Sequence, residues 1–571
     1  MSGRPFAWEA AYPPTLRWDL PDPPTSLPAL LEAAVARDPD GIAIDFSGRM
    51  ITYRELLERE RSAAAGLAAL GVGPGVSVGL YLPNTPFHPI AFFGTLRAGG
   101  RIAHLSPLDP PRRLRFKLED SETRILITSD DPEPLDRAAA LLEERVIDRL
   151  IVAEARDFDP GARATPLPRR AIPFRRLGDG VPTRRAPPID PDALALLQYT
   201  GGTTGQPKGA MLTHANLTAA VGAYRAWFAG TGTPMGPGDR LICALPLFHI
   251  YALTTILLLG LDRGATVLLR PRFDVETTLR DIESGRATFF AGVPTMWSAI
   301  ANHPTIERRD LSSLRVLSSG GAPLPTEIVA AIHRRTGRQL GAGWGMTETA
   351  PAGTRMLPDQ AHAPGLIGVP LPGVEMQIVA LDDPRRVLAA REIGEIRVRG
   401  PNVAGGYWRR AAQSAVTHVD GFLLTGDVGY QDERGSFYLV DRKDDMIISG
   451  GFNVYPTMIE QAIYEHPAVE EALVIGIPDE YRGQSAKAFV KLRADAPPLT
   501  LETLREFLSD RLGRHELPTA LEIRAALPRT AVGKLWRRGL IDASADDADR
   551  PASTVSQNTS DPNTRTPGAP A

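Results

Sequence analysis

The sequence predicts an α/β protein with a large N-terminal domain and a smaller α+β C-terminal domain. Strand-like apolar runs first alternate with helical patterns, then short strands rich in glycine and proline follow, and a compact mixed segment comes last. Such alternation favours parallel sheets covered by helices. The chain has 571 residues, which is more than one hydrophobic core usually serves, so two or more domains are expected.

The alternating part begins with a short helix at 26–36 and a strand at 42–46. Thr52 and Glu55 predict a capping box for a helix that runs to about Leu70 and is closed by Gly71. A helix is also expected from about Ala215, directly after a glycine-rich loop. The remaining predictions are helices at 86–98 and 134–144 and strands at 76–82, 124–128, 150–153, 240–245, 265–269, 287–291 and 314–318.

The pattern changes beyond Gly365, where short strands predict a small β-rich subdomain at about 365–440. Thr457 and Glu460 then predict a second capping box, for a helix ending at Tyr464. A helix at 501–512 and strands at 472–477, 487–492 and 520–526 complete this part. The expected domains are a lead-in at 1–25, a large domain at 26–440, a boundary at 441–445, a small domain at 446–542 and a disordered tail at 543–571.

Composition narrows the class of protein. The net charge of −3 gives no basic electrostatic field, which argues against nucleic acid as a partner. Hydrophobic residues make up 43% of the chain, which suffices for packed cores. The one cysteine, Cys243, lies in an apolar run and is expected in the core. We find no signal-peptide pattern at the start and no apolar run long enough to cross a bilayer, so we expect a cytoplasmic protein. A peripheral membrane contact and a homodimer stay open.

The stretch YTGGTTGQPKGAMLTH at 199–214 has the composition of a phosphate-binding turn. Glycines let the backbone approach an anion closely, while hydroxyl groups, N–H groups and a lysine supply donors and charge. A flexible surface loop is the alternative, and the density of these residue types argues against it. The spacing matches neither GxxxxGK[ST] nor GxGxxG. The residues concerned are Thr200, Gly201, Gly202, Thr203, Thr204, Gly205 and Lys208.

Four further turns carry residue types that suit a nucleotide. SSGGAPL at 318–324 ends a predicted strand in paired glycines, and GAGWGMTET at 341–349 offers an aromatic face, a hydroxyl and a carboxylate. LTGDVG at 424–429 places Asp427 in a turn, and PRTAVGK at 528–534 supplies Lys534. Each signal is weak by itself, since Trp344 could be a core residue and Glu348 a surface charge.

The order of these motifs, with LPLFHIYAL and DRKDDMIISGGF between them, resembles the acyl-adenylate-forming superfamily from about residue 25 to 540. YTGGTTG and MIISGGFNVYP look most like bacterial fatty-acid–CoA ligases, whereas LPLFHIYAL is shared with hydroxycinnamate–CoA ligases. The resemblance implies a large domain of two α/β layers with a small β-barrel, followed by a mobile lid domain. It also implies ATP, Mg²⁺ and coenzyme A as reactants or cofactors.

The resemblance implies a role for each matching residue in forming an acyl-adenylate from an acid and ATP. Residues 200–208 would hold the β- and γ-phosphates, and Mg²⁺ would be bound by a carboxylate. The other implied contacts are Trp344 with adenine, Gly321, Ala322 and Gly345 in that pocket, Thr347 with the α-phosphate, Glu348 with Mg²⁺, Asp427 and Arg442 with ribose, and His249 and Lys534 with the reacting carboxylate.

The second implied reaction is attack of the CoA thiol on the adenylate. Lys534 would withdraw as the C-terminal domain swings about Asp444, and Gly450 and Gly451 would then reach the pantetheine channel. Short-acid relatives carry a tryptophan at the position of Gly345, so the glycine predicts an open tunnel and a medium- or long-chain acid. Alternatives are an aryl or dicarboxylic acid, or a carrier protein in place of CoA.

Overall fold

The computed structural model describes residues 5–20, 24–179, 187–200, 206–321, 324, 326–450, 452–529 and 535–541. It contains three β-sheets, of seven, fourteen and five strands. In chain order the strands are β1 (Ile42–Phe46), β2 (Arg49–Thr52), β3 (Ser77–Tyr81), β4 (Arg101–His104), β5 (Ile125–Ser129), β6 (Arg149–Ala153), β7 (Ile172–Pro173), β8 (Leu194–Thr200), β9 (Lys208–Thr213), β10 (Arg240–Cys243), β11 (Thr266–Leu269), β12 (Phe289–Gly292), β13 (Val316–Ser319), β14 (Leu340–Trp344), β15 (Thr354–Arg355), β16 (Leu366–Pro370), β17 (Glu375–Val379), β18 (Gly394–Arg399), β19 (His418–Val419), β20 (Phe422–Gln431), β21 (Phe437–Arg442), β22 (Ile447–Ser449), β23 (Phe452–Val454), β24 (Val469–Asp479), β25 (Gly483–Leu492) and β26 (Ala520–Ile523).

Helices cover the sheets. They are α1 (Leu27–Arg37), α2 (Tyr53–Ala69), α3 (Phe87–Arg97), α4 (Pro111–Asp120), α5 (Pro132–Glu143), α6 (His214–Gly230), α7 (Ile250–Ala252), α8 (Leu259–Arg263), α9 (Val275–Glu283), α10 (Pro294–Ala301), α11 (Thr326–Thr336), α12 (Ala411–Thr417), α13 (Pro456–Tyr464) and α14 (Leu501–Leu508). A buried π-helical segment, Leu253–Leu258, joins α7 to α8, so the helix that follows His249 is locally widened. Such segments are frequent near functional sites.

The seven-stranded sheet has the order β7-β6-β5-β3-β4-β8-β9, and its strands are parallel except for β9. The fourteen-stranded sheet contains a parallel part, β14-β13-β12-β10-β11-β1. Strands β3, β4, β5, β11, β12 and β13 of these parallel regions are buried at every residue, as expected where helices cover both faces of a sheet. The carboxyl ends of these strands are where α/β folds place ligands.

The predicted β-rich part consists of antiparallel strands in the order β17-β18-β20-β21-β16. Strands β14, β15 and β16 pair with one another in turn, so this part continues the large sheet without a break. The C-terminal sheet, β23-β22-β25-β24 with β26 on β25, has a hydrophobic core of its own. The α/β class and the separate C-terminal unit are therefore confirmed, while the tail at 543–571 lies outside the described residues.

Local sequence signals account for many of the element ends. The Thr52 hydroxyl accepts a hydrogen bond from the backbone N–H of Glu55 at 3.1 Å, and Gly71 follows α2 with φ +92°. Cys243 is fully buried, and burial raises the pKa of its thiol to about 12. Two predictions need correction: strand β9 separates the glycine-rich loop from α6, and the helix predicted at 501–512 ends at Leu508.

The predicted capping box of Thr457 and Glu460 is wrong. Tyr455 caps α13 without a side-chain hydrogen bond, and both predicted capping residues bind Arg537 instead. The Arg537 guanidinium lies 2.6 Å from the Thr457 hydroxyl and 2.6 Å from a Glu460 carboxylate oxygen. A cation that lies 80 positions beyond Thr457 therefore competes successfully for side chains that would otherwise cap the helix.

Candidate functional site

Strands β8 and β9 pair on either side of the glycine-rich stretch and form the base of a hairpin. The last residue of β8, Thr200, lies opposite the first residue of β9, Lys208. The glycine and threonine residues of the stretch, Gly201, Gly202, Thr203, Thr204 and Gly205, lie outside the described residues. Because β8 is buried next to parallel β4, the hairpin rises from the carboxyl end of that sheet.

Lys208 lies beside Tyr407, whose side chain connects it to Glu348. The ammonium is 5.5 Å from the centre of the Tyr407 ring, and the tyrosine hydroxyl donates a 2.6 Å hydrogen bond to Glu348 Oε1. Burial raises the pKa of Glu348, and the hydrogen bond from Tyr407 opposes that shift by favouring the charged form. A cation and a buried carboxylate thus face the same region on either side of an aromatic ring.

The turn that carries Thr347 and Glu348 is held by the segment at 402–407. Backbone N–H of Ala404 donates to the Glu348 carbonyl at 2.7 Å, and the Asn402 amide donates to the carbonyls of Thr349 and Ala352 at 2.7 and 2.6 Å. The same segment bonds to β9, since the backbone N–H of Met211 donates to the Gly406 carbonyl at 3.0 Å. These contacts bring the hairpin and the carboxylate together, although they are far apart in sequence.

Trp344, Asp427 and Arg442 form the neighbouring group. The Trp344 indole N–H donates to Asp427 Oδ2 at 2.7 Å, and Asp427 pairs with Arg442 at 3.0 Å. Strands β20 and β21 fix that ion pair, because the two residues are directly opposite in the ladder. Burial raises the pKa of Asp427, and Arg442 and the indole N–H counteract that shift. Asp427 and Arg442, the predicted ribose-binding residues, therefore lie directly beside Trp344, the predicted adenine-binding residue.

His249 stands at the start of α7, where its Nδ1 accepts a hydrogen bond from the backbone N–H of Tyr251 at 3.3 Å. The neutral ring then carries its proton on Nε2. The preceding residue, Phe248, is tied to β8 because Gln198 Nε2 donates to its carbonyl at 2.9 Å. Gln198 is two residues before Thr200 on the same strand. Strand β8 therefore positions both the loop of His249 and the start of the glycine-rich stretch.

Gly345 lies in a turn that leaves no room for a side chain. A Cβ atom at this position would lie 1.6 Å from the carbonyl oxygen of Pro351, so any side chain requires the backbone to move. A Gly345→Trp variant would therefore disturb the turn of Glu348 as well as any tunnel. Of the predicted partners in the nucleotide pocket, Gly321 follows β13 with φ +84°, and Ala322 lies outside the described residues.

The junction near Asp444 is anchored on both sides. Lys443 binds Glu395 of β18 at 2.8 Å, while Asp445 binds Arg537 at 3.0 Å, and Asp444 between them is exposed. Gly450 has φ +59° and donates its N–H to the Arg482 carbonyl. The predicted residues Gly451 and Lys534 lie outside the described residues.

The comparisons with known proteins agree with this arrangement. The family model of the AMP-binding enzymes matches residues 31–408, and the model of their C-terminal domain matches residues 458–534. The chain belongs to the AMP-binding enzyme family. It is 36% identical to the long-chain-fatty-acid–CoA ligase of Bacillus subtilis over 556 residues, which cover 94% of this chain and 98% of that relative.

Two other relatives of this AMP-binding enzyme show how widely the similarity extends. A feruloyl-CoA synthase of Amycolatopsis is 36% identical over 500 residues, which cover 87% of this chain and 95% of that protein. The crystal structure of ATP-bound MatB from Rhodopseudomonas palustris is 29% identical, has a TM-score of 0.82, and covers 91% of this chain and 99% of its own. The predicted family, fold and enzyme class, an AMP-forming acid–CoA ligase, are confirmed.

Tyr407 and Gln198 are site residues that the motifs did not single out. Tyr407 follows paired glycines in AGGYW, which signalled only a β-rich part, and Gln198 lies inside an apolar strand.

The part of the chain that the structure describes contains no group of three or more metal-ligating side chains. Every helix in that part is too short or too polar to span a membrane.

Proposed function

We propose that this enzyme activates a medium- or long-chain carboxylic acid as its acyl-adenylate and transfers the acyl group to coenzyme A. The observation that carries the proposal is the connected group of Lys208, Tyr407, Glu348 and the Trp344–Asp427 pair at the carboxyl ends of the sheets. This group offers a cation, a carboxylate and an aromatic ring with hydrogen-bonding neighbours. Those features suit the phosphates, the base and the ribose of one nucleotide.

The first step joins two anions, because a carboxylate attacks the α-phosphate of ATP. Positive charge must therefore offset the negative charge that develops on the phosphate oxygens. Lys208, at the base of the glycine-rich hairpin, would bind the phosphates that leave as pyrophosphate. Thr347 would donate its hydroxyl to the α-phosphate, and Asp427 with Arg442 would orient the ribose.

A divalent cation fits one carboxylate of this site. Mg²⁺ is usually held by one or two carboxylates together with phosphate oxygens and water, and Glu348 supplies such an oxygen within a turn fixed by its neighbours. When bound, Mg²⁺ would neutralise phosphate charge. The Tyr407 hydroxyl keeps the Glu348 carboxylate in place and favours its ionised form.

The second step requires a different arrangement, because the thiol of CoA needs access to the adenylate. We assign Lys534 to the first step, His249 to the acyl carboxylate, and Gly450 and Gly451 to the CoA channel, with Asp444 as the hinge. The anchoring of Lys443 and Asp445 on either side of an exposed Asp444 supports that hinge. The boundaries of the domains at 440 and 446 follow from the same proposal.

The nature of the acid is drawn from the relatives. The Bacillus subtilis relative is named a long-chain-fatty-acid–CoA ligase, and the Amycolatopsis relative a feruloyl-CoA synthase. We assign a medium- or long-chain acid because the motifs at 199–214 and 446–456 match the fatty-acid group. An aryl acid is the competing assignment.

The test is AMP release from ATP with a panel of acids of graded chain length, including aryl and dicarboxylic members, each measured with and without CoA. We expect turnover with medium- or long-chain acids and formation of an acyl-CoA in equal amount to AMP. Turnover confined to aryl acids would contradict the assignment of the acid. Acyl transfer to a carrier protein but not to CoA would contradict the assignment of the acceptor.

A further inference from the structure

Arg355 lies beside the proposed nucleotide pocket on the short strand β15. It is opposite Gly343 of β14, and the next pair along is Thr354 with Trp344. Its side chain runs across β14 over two glycines, since a Cβ on Gly343 would lie 3.3 Å from Arg355 Cγ and one on Gly341 would lie 3.6 Å from its Nη2. The glycines of the GAGW motif therefore make room for this arginine.

The partners of the Arg355 guanidinium are neutral. Its Nη1 donates to the Ser318 hydroxyl at 3.1 Å, and the guanidinium lies 4.9 Å from the centre of the Phe228 ring. The Tyr251 hydroxyl is 3.4 Å from the same Ser318 oxygen. Burial lowers the pKa of Arg355, and only Tyr224 and Tyr251 oppose that shift. Within the described part of the chain, no carboxylate neutralises this cation.

Two other arginines that are withdrawn from solvent are paired with acids. Arg97 binds Glu60 at 2.6 Å and Glu32 at 2.8 Å, and Arg270 binds Asp281 at 2.7 Å and Asp45 at 3.5 Å. A buried charge without a counter-ion carries a large desolvation cost, so proteins seldom keep one without a use for it. Arg355 lacks the acidic partner that Arg97 and Arg270 have.

The surroundings of Arg355 open toward the site. Arg355, Gly341, Gly343 and Tyr251 remain partly exposed, although β14 and β15 are interior strands of the large sheet. The Arg355 side chain lies between β14, Phe228 of α6 and the Ser318 hydroxyl that Tyr251 of α7 also contacts. This region adjoins Trp344 on β14 and the segment that begins with His249, which is where the acyl chain of the proposed reaction would lie.

We propose that Arg355 binds a second carboxylate on the acid, so that the enzyme acts on dicarboxylic acids in preference to monocarboxylic acids of equal length. The inference rests on the proposed function and specifies its substrate. A guanidinium presents parallel donors that match a carboxylate, and Ser318 and Tyr251 supply hydroxyl groups beside it. A monocarboxylic acid would place methylene or methyl groups against an uncompensated cation.

The experiment compares kcat/KM for α,ω-dicarboxylic acids and monocarboxylic acids of matched length, using AMP release with CoA present. We expect the unmodified enzyme to prefer diacids around one optimal length. Arg355→Met should lower the ratio of diacid to monoacid kcat/KM by about 10- to 100-fold, as for loss of a charge-assisted hydrogen bond. Arg355→Lys should retain part of the preference, because it keeps the charge.

Arg225→Met is the matched control. Arg225 lies on α6 next to Tyr224 and pairs with Asp262 at 3.6 Å, so its charge is already neutralised. This variant should leave the ratio unchanged. Preference of the unmodified enzyme for monoacids at every length would overturn the inference, as would equal shifts in the Arg355→Met and Arg225→Met variants. Failure of the proposed function looks different, since neither series would then release AMP.

Discussion

Arg537 and Arg355 are both largely withdrawn from solvent, but their charges are neutralised in different ways. Arg537 contacts three carboxylates, with distances of 2.6 Å to Glu460, 3.1 Å to Asp441 and 3.0 Å to Asp445. Arg355 contacts the hydroxyl group of Ser318 and the face of Phe228. The first cation is neutralised by carboxylates of the protein, whereas the second has no carboxylate partner among the described residues.

The two kinds of contact, with carboxylates and with neutral groups, occur in different parts of the molecule. The carboxylates around Arg537 come from β21, from the junction and from α13, so the arginine fastens the segment at 535–541 to residues on both sides of Asp444. Lys208 likewise faces an aromatic ring. Lys208 and Arg355 therefore share neutral neighbours at the proposed site, whereas Arg537 is neutralised by carboxylates of the framework.

The largest expected effect on stability belongs to Arg537. Arg537→Met should lower the free energy of unfolding of the C-terminal part by about 3–5 kcal/mol, because three buried or half-buried carboxylates lose their partner. Urea unfolding followed by a probe in that part measures it. Arg355→Met should not destabilise, since it removes an uncompensated charge; a loss as large as that of Arg537→Met would erase the distinction.

A smaller effect, on the KM for ATP, is expected at Trp344, whose indole ring is hydrogen-bonded to Asp427. Trp344→Phe keeps an aromatic face but removes the 2.7 Å hydrogen bond to the carboxylate, worth about 2 kcal/mol. The KM for ATP should rise roughly tenfold or more, with the fold retained. Trp18→Phe, which removes a hydrogen bond to the Val374 carbonyl away from the site, should leave that KM unchanged.

The smallest effect is a change in the pH dependence of stability, caused by a buried histidine that stays neutral in the folded protein. His104 is buried against His88 of α3, with Nδ1 2.8 Å from the side-chain oxygen Oε1 of Gln198, and burial lowers the pKa of His104 to about 4. Its pKa in the unfolded chain is about 6.5. The unfolded state therefore binds a proton first as the pH falls, so stability present above pH 6.5 is lost toward pH 4.

Between pH 7 and pH 5, the contribution of His104 to the free energy of unfolding should fall by on the order of 1–2 kcal/mol. Replacement of His104 by Gln should remove that part of the acid sensitivity, as measured by urea unfolding at both pH values. His333, exposed on α11, is the control position for the same substitution. An unchanged slope in the His104 variant would show that other groups set the acid sensitivity.

Much of the fold followed from local patterns. Apolar runs and glycine-terminated helices placed most strands of the two parallel regions, because burial and helix termination depend on neighbouring residues. Strand β9 was missed since it begins at Lys208 inside a stretch whose glycines and threonines look like loop throughout. Thr457 and Glu460 were misassigned because their partner, Arg537, lies about 80 positions further along.

The site was predicted as a set of residue types rather than as contacts. Trp344, Glu348, Asp427 and Lys208 were each identified from a turn motif. Their connections depend on strand register and on Tyr407, whose meaning appears only when its hydroxyl meets Glu348. Arg355 belongs to no motif, because what distinguishes it is the lack of a counter-ion among the residues that the structure describes.

Acid-dependent exchange of labelled pyrophosphate into ATP, measured without CoA, tests the central claim most directly. The account predicts exchange in the unmodified enzyme, because the adenylate forms before CoA is needed. It predicts a loss of about 100-fold or more in Glu348→Gln, which keeps an oxygen for Tyr407 but removes the charge, and none in Glu276→Gln on α9. Exchange that requires CoA, or that survives in Glu348→Gln, would contradict it.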